Sequence, residues 1–278
     1  MNSPTEKAGR AKVIEVRNLV THYGDRKILD DVSLDVYDGE IMVIMGGSGS
    51  GKTTLLRHIM ALEQPTSGTL RILGKDPQTL NGRELHDLRT KMGVAFQSGA
   101  LFSSMTVGEN IMLPLYEHSN LDRKTMEIMV RMKLEVVELG GFEDLMPSEL
   151  SGGMIKRAAF ARAIIMDPKI LFCDEPSAGL DPVVASAIDD LILRMRDALG
   201  MAIVVVTHEL ESAFKIADRI AVLDQGRILF VGTVDELGEA ESQRIQDLLH
   251  RRTEEKIVDP HEYLARLTGE KVREGPAA

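Results

Sequence analysis

The sequence has no tryptophan and one cysteine, Cys173, among its 278 residues, and aromatic residues make up 4% of it. A single cysteine excludes an internal disulfide and suits a reducing compartment. No apolar run approaches the length needed to cross a bilayer, the best stretches being "MAIVVV" and "KILFC". The N-terminal "MNSPTEKAGRAK" lacks an apolar segment, so we expect no signal peptide. These absences predict a cytoplasmic globular protein.

Basic residues are also fewer than acidic ones. Lysine and arginine number 33 against 43 aspartates and glutamates, which gives a net charge of −10. The densest basic segment, residues 250–252, is separated by one residue from the acidic Glu254 and Glu255. This balance disfavours nonspecific binding to nucleic acid or to an anionic membrane. We therefore expect no nucleic-acid partner, and we expect another protein to bring this chain to any membrane it meets.

Strand and helix patterns alternate along most of the chain. "EIMVIM", "KILFC" and "MAIVVVT" are continuously apolar, as strands covered on both faces are. "KTTLLRHIMAL" and "VVASAIDDLILRMRDAL" have helical spacing. The alternation predicts an α/β fold with parallel strands at its centre. Between Gln97 and Ile164 the pattern becomes mostly helical and rich in methionine, which predicts a helical insert whose methionines fill a small core.

A glycine-rich segment, "GGSGSGKTT", follows the first of these apolar runs. It fits the phosphate-loop spacing G-x-x-x-x-G-K-[ST], with a strand pattern before it and a helical pattern after it. Glycines let backbone N–H groups wrap phosphate oxygens, and the helix N-terminus adds a favourable dipole. We expect Lys52 to reach the β- and γ-phosphates of a nucleotide and Thr53 to give its hydroxyl to Mg²⁺. The predicted nucleotide-binding residues of this loop are Gly46, Gly47, Ser48, Gly49, Ser50, Gly51, Lys52, Thr53 and Thr54.

Two carboxylates follow a later apolar run, in "KILFCDEP". Asp174 comes at the predicted carboxyl end of that strand, the edge of the sheet at which such folds bind ligands. We expect Asp174 to hold Mg²⁺ through its water shell and Glu175 to act as the general base on the attacking water. Cys173, inside the strand, is predicted to be buried and inert.

A second anion-binding element is predicted at "SELSGGMIKRAAFARA". Ser151 is a good helix N-cap, and the alanines behind it favour helix. Two glycines at a helix start, Gly152 and Gly153, let an anion approach bare backbone N–H groups. One chain thus carries two candidate phosphate-binding elements far apart in sequence.

The chain resembles ABC-type ATPase subunits over roughly residues 13–237, because it carries their set of motifs in the same order. These motifs are the phosphate loop, Gln97, "LSGGM", "CDEP", "SAGLD" and His208. The resemblance implies a P-loop NTPase (RecA-like) core with an N-terminal antiparallel β subdomain and a helical insert at about residues 98–163. The ABC ATPase domain would cover residues 13–238, between a flexible N-terminus at 1–12 and a C-terminal tail at 239–278.

The resemblance also implies roles for single residues. Tyr23 matches the aromatic residue that stacks on adenine, and Asp181 matches the aspartate at the subunit interface. Gln97 matches the glutamine that senses the γ-phosphate, and His208 matches the histidine that contacts it. The cofactors implied are ATP and Mg²⁺. The implied catalytic residues are Glu175, His208 and Gln97, and the implied metal ligands are Thr53, Gln97 and Asp174.

The position of the helical insert suggests a reason for two phosphate-binding elements in one chain. An insert between Gln97 and Ser151 should hold the second element away from the chain's own phosphate loop. A two-fold dimer can pair each loop with the other copy's Ser-Gly-Gly. The family resemblance implies the same arrangement, with two ATP molecules clamped between two copies and closure driven by the γ-phosphate.

Met154 stands where the family most often has glutamine. Together with "FQSGALFSSMTVGENI" and "EPSAGLDPVVASAIDDLI", it resembles one branch, the ATPases of MCE-associated, Mla-type transporters that move phospholipids between the two membranes of diderm bacteria. That branch implies a membrane permease as partner, peripheral attachment to the inner membrane, and an MCE-domain protein and a small accessory subunit as further partners. The ATPase of a small-molecule importer, for amino acids as one example, remains an alternative. A third reading is a soluble ABC ATPase acting on DNA or ribosomes, which the acidic charge and the lack of a coiled-coil insert or a second fused half disfavour.

The tail carries more apolar groups than a merely solvated end needs. Two readings stay open: the tail folds back on its own subunit, or it reaches a second subunit or an accessory protein. Its apolar residues are Ile245, Leu248, Leu249, Ile257, Tyr263, Leu264 and Leu267.

Overall fold

The structure, a computed structural model, describes residues 10–240, 242 and 244–246. The first nine residues and most of the predicted tail lie outside this part. Ile245 falls in a short helical segment, residues 244–246, whereas the tail's remaining apolar residues are outside the described part. Within the described part no helix combines the length and the apolar character needed to cross a membrane.

The described residues form strands and helices, with the three α-helices of residues 107–163 following one another without a strand between them. The strands are β1 (Lys12–Tyr23), β2 (Arg26–Tyr37), β3 (Ile41–Met45), β4 (Ser67–Ile72), β5 (Met92–Ala95), β6 (Ile170–Asp174), β7 (Ala202–Thr207), β8 (Arg219–Asp224) and β9 (Arg227–Gly232). The α-helices are α1 (Lys52–Ile59), α2 (Gly82–Arg89), α3 (Val107–His118), α4 (Arg123–Val136), α5 (Gly152–Ala163), α6 (Pro182–Leu199), α7 (Leu210–Ile216) and α8 (Val234–Gly238), and a 3-10 helix, Pro147–Glu149, precedes α5.

Most of the early strands form an antiparallel sheet. Within the described residues this sheet has three strands in the order β2-β1-β4, with β1 antiparallel to both neighbours. β1 and β2 bury apolar side chains in a largely alternating pattern, as strands with one covered face do. The antiparallel N-terminal subdomain implied by the family resemblance is therefore present.

The second sheet is mostly parallel and carries the central strands of the fold. Among the described residues it has six strands in the order β5-β6-β7-β3-β8-β9, and β9 pairs antiparallel with β8 at its edge. Every residue of β3 and β7 is buried, because helices and the other sheet cover both faces. The predicted α/β core is thus confirmed. Its main apolar cluster includes side chains from both sheets and from α1.

Helices α3, α4 and α5 lie in sequence between β5 and β6, in the region where the sequence predicts an insert. Their starts follow local rules: Thr106 and Glu109 form a capping box at α3, and Asp122 caps α4. On α4, Met126, Val130 and Leu134 are buried at helical spacing. The methionines divide in this region, because Met126 and Met112 are buried whereas Met132 is exposed. Core filling therefore accounts for part of the methionine content and not for all of it.

Candidate nucleotide site

The strand order brings the predicted site residues to one edge of the parallel sheet. Gln97 follows β5, Asp174 ends β6, His208 follows β7 and the phosphate loop follows β3. These four strands are consecutive neighbours and run parallel. Their carboxyl ends therefore meet at the same edge, which is where open α/β sheets bind ligands.

The phosphate loop is shaped by its glycines for two different reasons. Gly51, which precedes α1, has a φ of 105°, a value that side-chain-bearing residues rarely adopt. At Gly46 a Cβ would lie 2.1 Å from the carbonyl oxygen of Leu223 on the neighbouring strand β8. The loop can therefore turn tightly against β8 and lead directly into the N-terminus of α1.

Lys52 folds back over this loop. Its ammonium donates hydrogen bonds to the carbonyl oxygens of Gly46, at 2.8 Å, and of Gly47, at 2.9 Å. Burial lowers the pKa of Lys52, and the nearby Glu175 and Asp174 carboxylates oppose that shift. The cation is thus held within the concavity of the loop, next to the two acidic residues.

A polar atom in the same loop has no partner within the protein. The hydroxyl oxygen of Ser50 is buried and makes no hydrogen bond in the described part of the chain. Buried hydroxyls are normally paired, because leaving one unpaired costs about 1–3 kcal/mol. An unpaired hydroxyl in a phosphate loop fits a site that receives its hydrogen-bond partners from a ligand.

Asp174 and Gln97 line one open cavity of about 510 Å³, together with Phe96, Ser98 and Ala178. Burial raises the pKa of Asp174, and the adjacent Glu175 charge raises it further, whereas Lys52 and Lys156 oppose the shift. A bound cation would stabilise the ionised form of this carboxyl, which burial and the neighbouring negative charge disfavour. Carboxylate, amide and hydroxyl oxygens are the ligands that Mg²⁺ prefers, so the predicted set of Asp174, Gln97 and Thr53 fits that ion.

Glu175 is held by hydrogen bonds of both its backbone and its carboxylate. Its backbone takes a left-handed φ of 48°, and its N–H donates to the Val206 carbonyl at 2.8 Å. One carboxylate oxygen, Oε1, lies 2.8 Å from Nδ1 of His208. The other, Oε2, accepts a hydrogen bond from the Thr207 hydroxyl at 3.2 Å. The carboxylate is therefore oriented between the end of β7 and the loop that follows it.

Lys156 and Thr207 are site residues that the sequence analysis missed. Lys156 lies on α5 and is 8% exposed, and its ammonium donates to the backbone carbonyls of Gln97 and Glu175. The available signal for it was a lysine inside the alanine-rich run "KRAAFARA", because a lysine facing that run must find polar partners. Thr207 directly precedes His208, so its position at the strand end was the available signal.

Ser151 begins α5 as predicted, and its hydroxyl accepts a hydrogen bond from the Met154 N–H at 3.3 Å. None of the hydrogen bonds or ion pairs among the described residues joins Ser151 to the phosphate loop of the same chain. Gly153 instead packs against α6, where a Cβ on it would lie 2.7 Å from Cγ1 of Val184. Asp181 caps that same helix by accepting from the N–H groups of Val183 and Val184, each at 3.1 Å.

Tyr23 ends β1 with an exposed ring. Its hydroxyl donates to the Glu63 carboxylate at 2.5 Å, and Arg57 donates to the other oxygen of that carboxylate at 2.9 Å. Arg57 belongs to α1, the helix that follows the phosphate loop. The ring is thus tethered beside α1 and remains open for stacking.

Comparison with known proteins matches residues 29–178 to the ABC transporter family. The chain is 42% identical to the "Intermembrane phospholipid transport system ATP-binding protein MlaF" of Haemophilus influenzae, over 85% of this chain and 90% of that protein. It is 37% identical to the "Probable ribonucleotide transport ATP-binding protein mkl" of Mycobacterium leprae, over 86% of this chain and 69% of that one.

A solved structure of the ATP-binding cassette MJ0796, a dimer in a post-hydrolysis state bound to ADP and Pi, has a similar fold. The TM-score is 0.72 at 31% sequence identity, over 80% of this chain and 98% of that one. The family match, the relatives and the fold agree with the site geometry, and the chain therefore belongs to the ABC transporter family as an ATP-hydrolysing subunit.

Proposed function

We propose that this chain is the ATPase subunit of a transporter that moves phospholipids between membranes. The observation that carries the proposal is its 42% identity, over most of both chains, to a protein named for intermembrane phospholipid transport. "LSGGM", with Met154 in place of the family's usual glutamine, adds to it because the sequence resembles the lipid-transporting branch there.

Hydrolysis would use the groups at the carboxyl edge of the sheet. Lys52 exchanges the carbonyls of Gly46 and Gly47 for the β- and γ-phosphate oxygens of ATP. The Glu175 carboxylate takes a proton from a water whose oxygen attacks the γ-phosphorus, while the bond from that phosphorus to the ADP oxygen breaks. Tyr23 stacks on the adenine, and His208 and Gln97 contact the γ-phosphate.

Mg²⁺ is proposed as the second cofactor. Asp174, Gln97 and Thr53 would hold it, and the ion supplies neutralisation of the charge that develops on the phosphates. The fit rests on the oxygen donors of these three side chains and on the cavity that Asp174 and Gln97 share.

The catalytically competent form is proposed to be a dimer of two copies of this chain. In each of its two sites, one copy supplies the phosphate loop and the other supplies Ser151, Gly152, Gly153 and Asp181. Two features support this: the lack of bonds between Ser151 and the loop of its own chain among the described residues, and the dimeric ATP-binding cassette with a similar fold.

The remaining partners follow from the same proposal. A membrane permease would hold the dimer at the cytoplasmic face of the inner membrane, and an MCE-domain protein and a small accessory subunit would complete the transporter. The tail beyond residue 238 is the segment that we propose for contacts with such subunits. No nucleic-acid partner is proposed, in keeping with the net charge of −10.

Purification of the native complex with a tagged copy of this chain tests the proposal. We expect phospholipid, identified by mass spectrometry, to copurify with this chain and its membrane partners. We also expect lipid transfer between labelled vesicles to depend on ATP.

A second candidate is ribonucleotide transport, since the relative at 37% identity bears that name. Copurified ribonucleotide other than bound ATP or ADP, without lipid, would favour that candidate.

A further inference from the structure

Lys156 has surroundings unlike those of an ordinary surface lysine. It projects from α5 into the protein, and its ammonium donates to two backbone carbonyls, with 3.2 Å to that of Glu175. Among the ion pairs of the described residues, none includes Lys156. A buried cation with no directly bonded carboxylate is costly, so its position requires compensation from nearby charges.

The compensation comes from the acidic residues of the candidate site. Burial lowers the pKa of Lys156, while the charges of Glu175, Glu209 and Asp174 oppose that shift. Glu209 lies beyond His208 and accepts a hydrogen bond from Ser177 at 2.9 Å. The ammonium is therefore placed in the negative field of the site without bonding to any of its carboxylates.

The two carbonyls belong to loops from different strands. Gln97 follows β5 and Glu175 follows β6, so one ammonium with its three donors joins both loops to α5. The same helix holds the first loop again further along, where Arg162 donates to the carbonyls of Gly99, at 2.9 Å, and Ala100, at 2.8 Å. α5 thus fixes the backbone on which the Gln97 side chain is carried.

The other end of α5 carries Ser151, Gly152 and Gly153. On the proposed function these residues bind the nucleotide of the partner copy, whereas Gln97 and Glu175 act on the chain's own nucleotide. Lys156 lies five positions after Ser151, less than two helical turns away. A shift of α5 on contact with the partner's nucleotide would move the ammonium and both carbonyls with it.

We propose that Lys156 is a positioning residue that links the two nucleotide sites through one chain. It ties the helix that binds the partner's ATP to the backbone of Gln97 and Glu175, which hydrolyse the chain's own ATP. The inference rests on the proposed roles of these residues. It adds that closure of the dimer, by contacting the start of α5, orients the Glu175 carboxylate through Lys156. Lys156 would act through these two backbone carbonyls and not on the reacting phosphate or the attacking water.

Three full-length variants test the inference by steady-state ATP hydrolysis with Mg²⁺ and by thermal melting. Lys156→Met removes the ammonium and keeps the length of the side chain, and Lys156→Arg keeps the charge. Lys133→Met is the matched control, because Lys133 is also a poorly exposed lysine, with a side chain 12% exposed, and pairs with Asp167 away from the site.

For Lys156→Met we expect a loss of about 10- to 100-fold in kcat, the scale found for residues that orient a catalytic group from behind it. We expect the KM for ATP to change by less than about 3-fold, since the lesion does not touch the phosphate loop. Lys156→Arg should recover part of the lost kcat, and Lys133→Met should retain the wild-type kcat. Where Lys156→Met yields no folded protein, Lys156→Leu, which also removes the donors, is measured in its place with the same expectation.

Wild-type kcat in the Lys156 variant overturns the inference. An equal fall in kcat for Lys133→Met also overturns it, because the effect would then follow loss of stability. A rise in KM as large as the fall in kcat overturns it as well. These failures differ from failure of the proposed site: if Glu175→Gln hydrolyses ATP at the wild-type rate, the proposed catalytic roles are themselves wrong.

Discussion

The Glu175 carboxylate and the His208 ring are joined, with Oε1 of the one 2.8 Å from Nδ1 of the other. The two side chains differ in exposure, 13% for Glu175 and 64% for His208. A poorly exposed carboxylate is thus oriented by an exposed ring on one oxygen and by Thr207 on the other. This arrangement sets the direction in which Glu175 presents itself to a water.

Glu175→Gln should bind MgATP and hydrolyse it at least ~10²-fold more slowly than wild type, the usual effect of losing a general base. The amide keeps the size of the side chain but cannot take the proton. ATP-bound dimer should accumulate, measured by size-exclusion chromatography beside kcat. Glu127→Gln is the control, since this carboxylate pairs with Arg123 on α4 and the change should leave kcat within a few-fold. Near-normal turnover by Glu175→Gln would remove Glu175 from its role.

Lys52→Ala should weaken nucleotide binding and turnover together. The change removes the cation that the loop holds on the carbonyls of Gly46 and Gly47, and with it the charge facing the phosphates. Isothermal titration with ATP and a kcat measurement separate this result from that of Glu175→Gln, which should retain binding. Unchanged ATP affinity would show that Lys52 does not contact the phosphates.

Ser151→Arg should abolish ATP-driven dimerisation and leave ATP binding by the single chain intact. A bulky cation at the start of α5 would block the partner's phosphates, whereas the chain's own loop is not bonded to Ser151 among the described residues. Light scattering with and without ATP measures the dimer, and titration measures binding. A mixture with Lys52→Ala should form at most one intact composite site. Loss of ATP binding by Ser151→Arg alone would contradict the assignment of Ser151 to the partner's nucleotide.

Met154→Gln should retain ATPase activity. The backbone N–H of residue 154, and not its side chain, bonds to the Ser151 hydroxyl that begins the helix. We expect kcat and KM within about 2-fold of wild type, since neither the cap nor the glycines change. A large loss of intrinsic hydrolysis would show that the Met154 side chain supports the site directly.

Asp189→Asn should raise the melting temperature at neutral pH. Burial between α6 and α7 raises the pKa of Asp189, despite its bond to the Ser212 hydroxyl and the charge of Lys215. The folded state thus binds this proton more tightly than the unfolded state. The carboxylate's cost to stability therefore grows as pH rises through that pKa and is largely absent near pH ~4, the ordinary range for aspartate.

Melting curves of Asp189→Asn and wild type at both pH values check the sign of this effect. Asp190→Asn controls for the loss of one negative charge, because Asp190 is exposed and pairs with Lys215 at 2.6 Å. A gain for Asp189→Asn that is equal at both pH values, or a loss at neutral pH, would contradict the expected direction.

The sequence was most informative where local pattern and burial coincide. β3, β6 and β7 were predictable because both of their faces are covered, so their residues form continuous apolar runs. The phosphate loop was predictable because the spacing of its glycines, lysine and threonine, between a strand pattern and a helical pattern, is specific for binding phosphate. Asp174 and Glu175 followed from their place at a strand end.

The pairing of distant segments was not predictable in the same way. β3 lies between β7 and β8, which are far from it in sequence. The apolar pattern of a strand shows that it is buried but does not show which other strand it pairs with. Lys156 was missed for the same reason, since its two carbonyl partners are 59 and 19 residues away. The exposed Met132 departs from the core-filling role, which a count of methionines in the sequence cannot reveal.

Gly46 and Gly47, adjacent in the phosphate loop, are constrained by different parts of the molecule. A side chain at position 46 would strike the backbone of β8, whereas one at position 47 would meet nothing within 4 Å. Glycine at position 46 is therefore required by the packing of the loop against the sheet, whereas at position 47 the protein itself leaves room for a side chain. A variant that no longer binds nucleotide should therefore still fold with alanine at position 47, and should still need glycine at position 46.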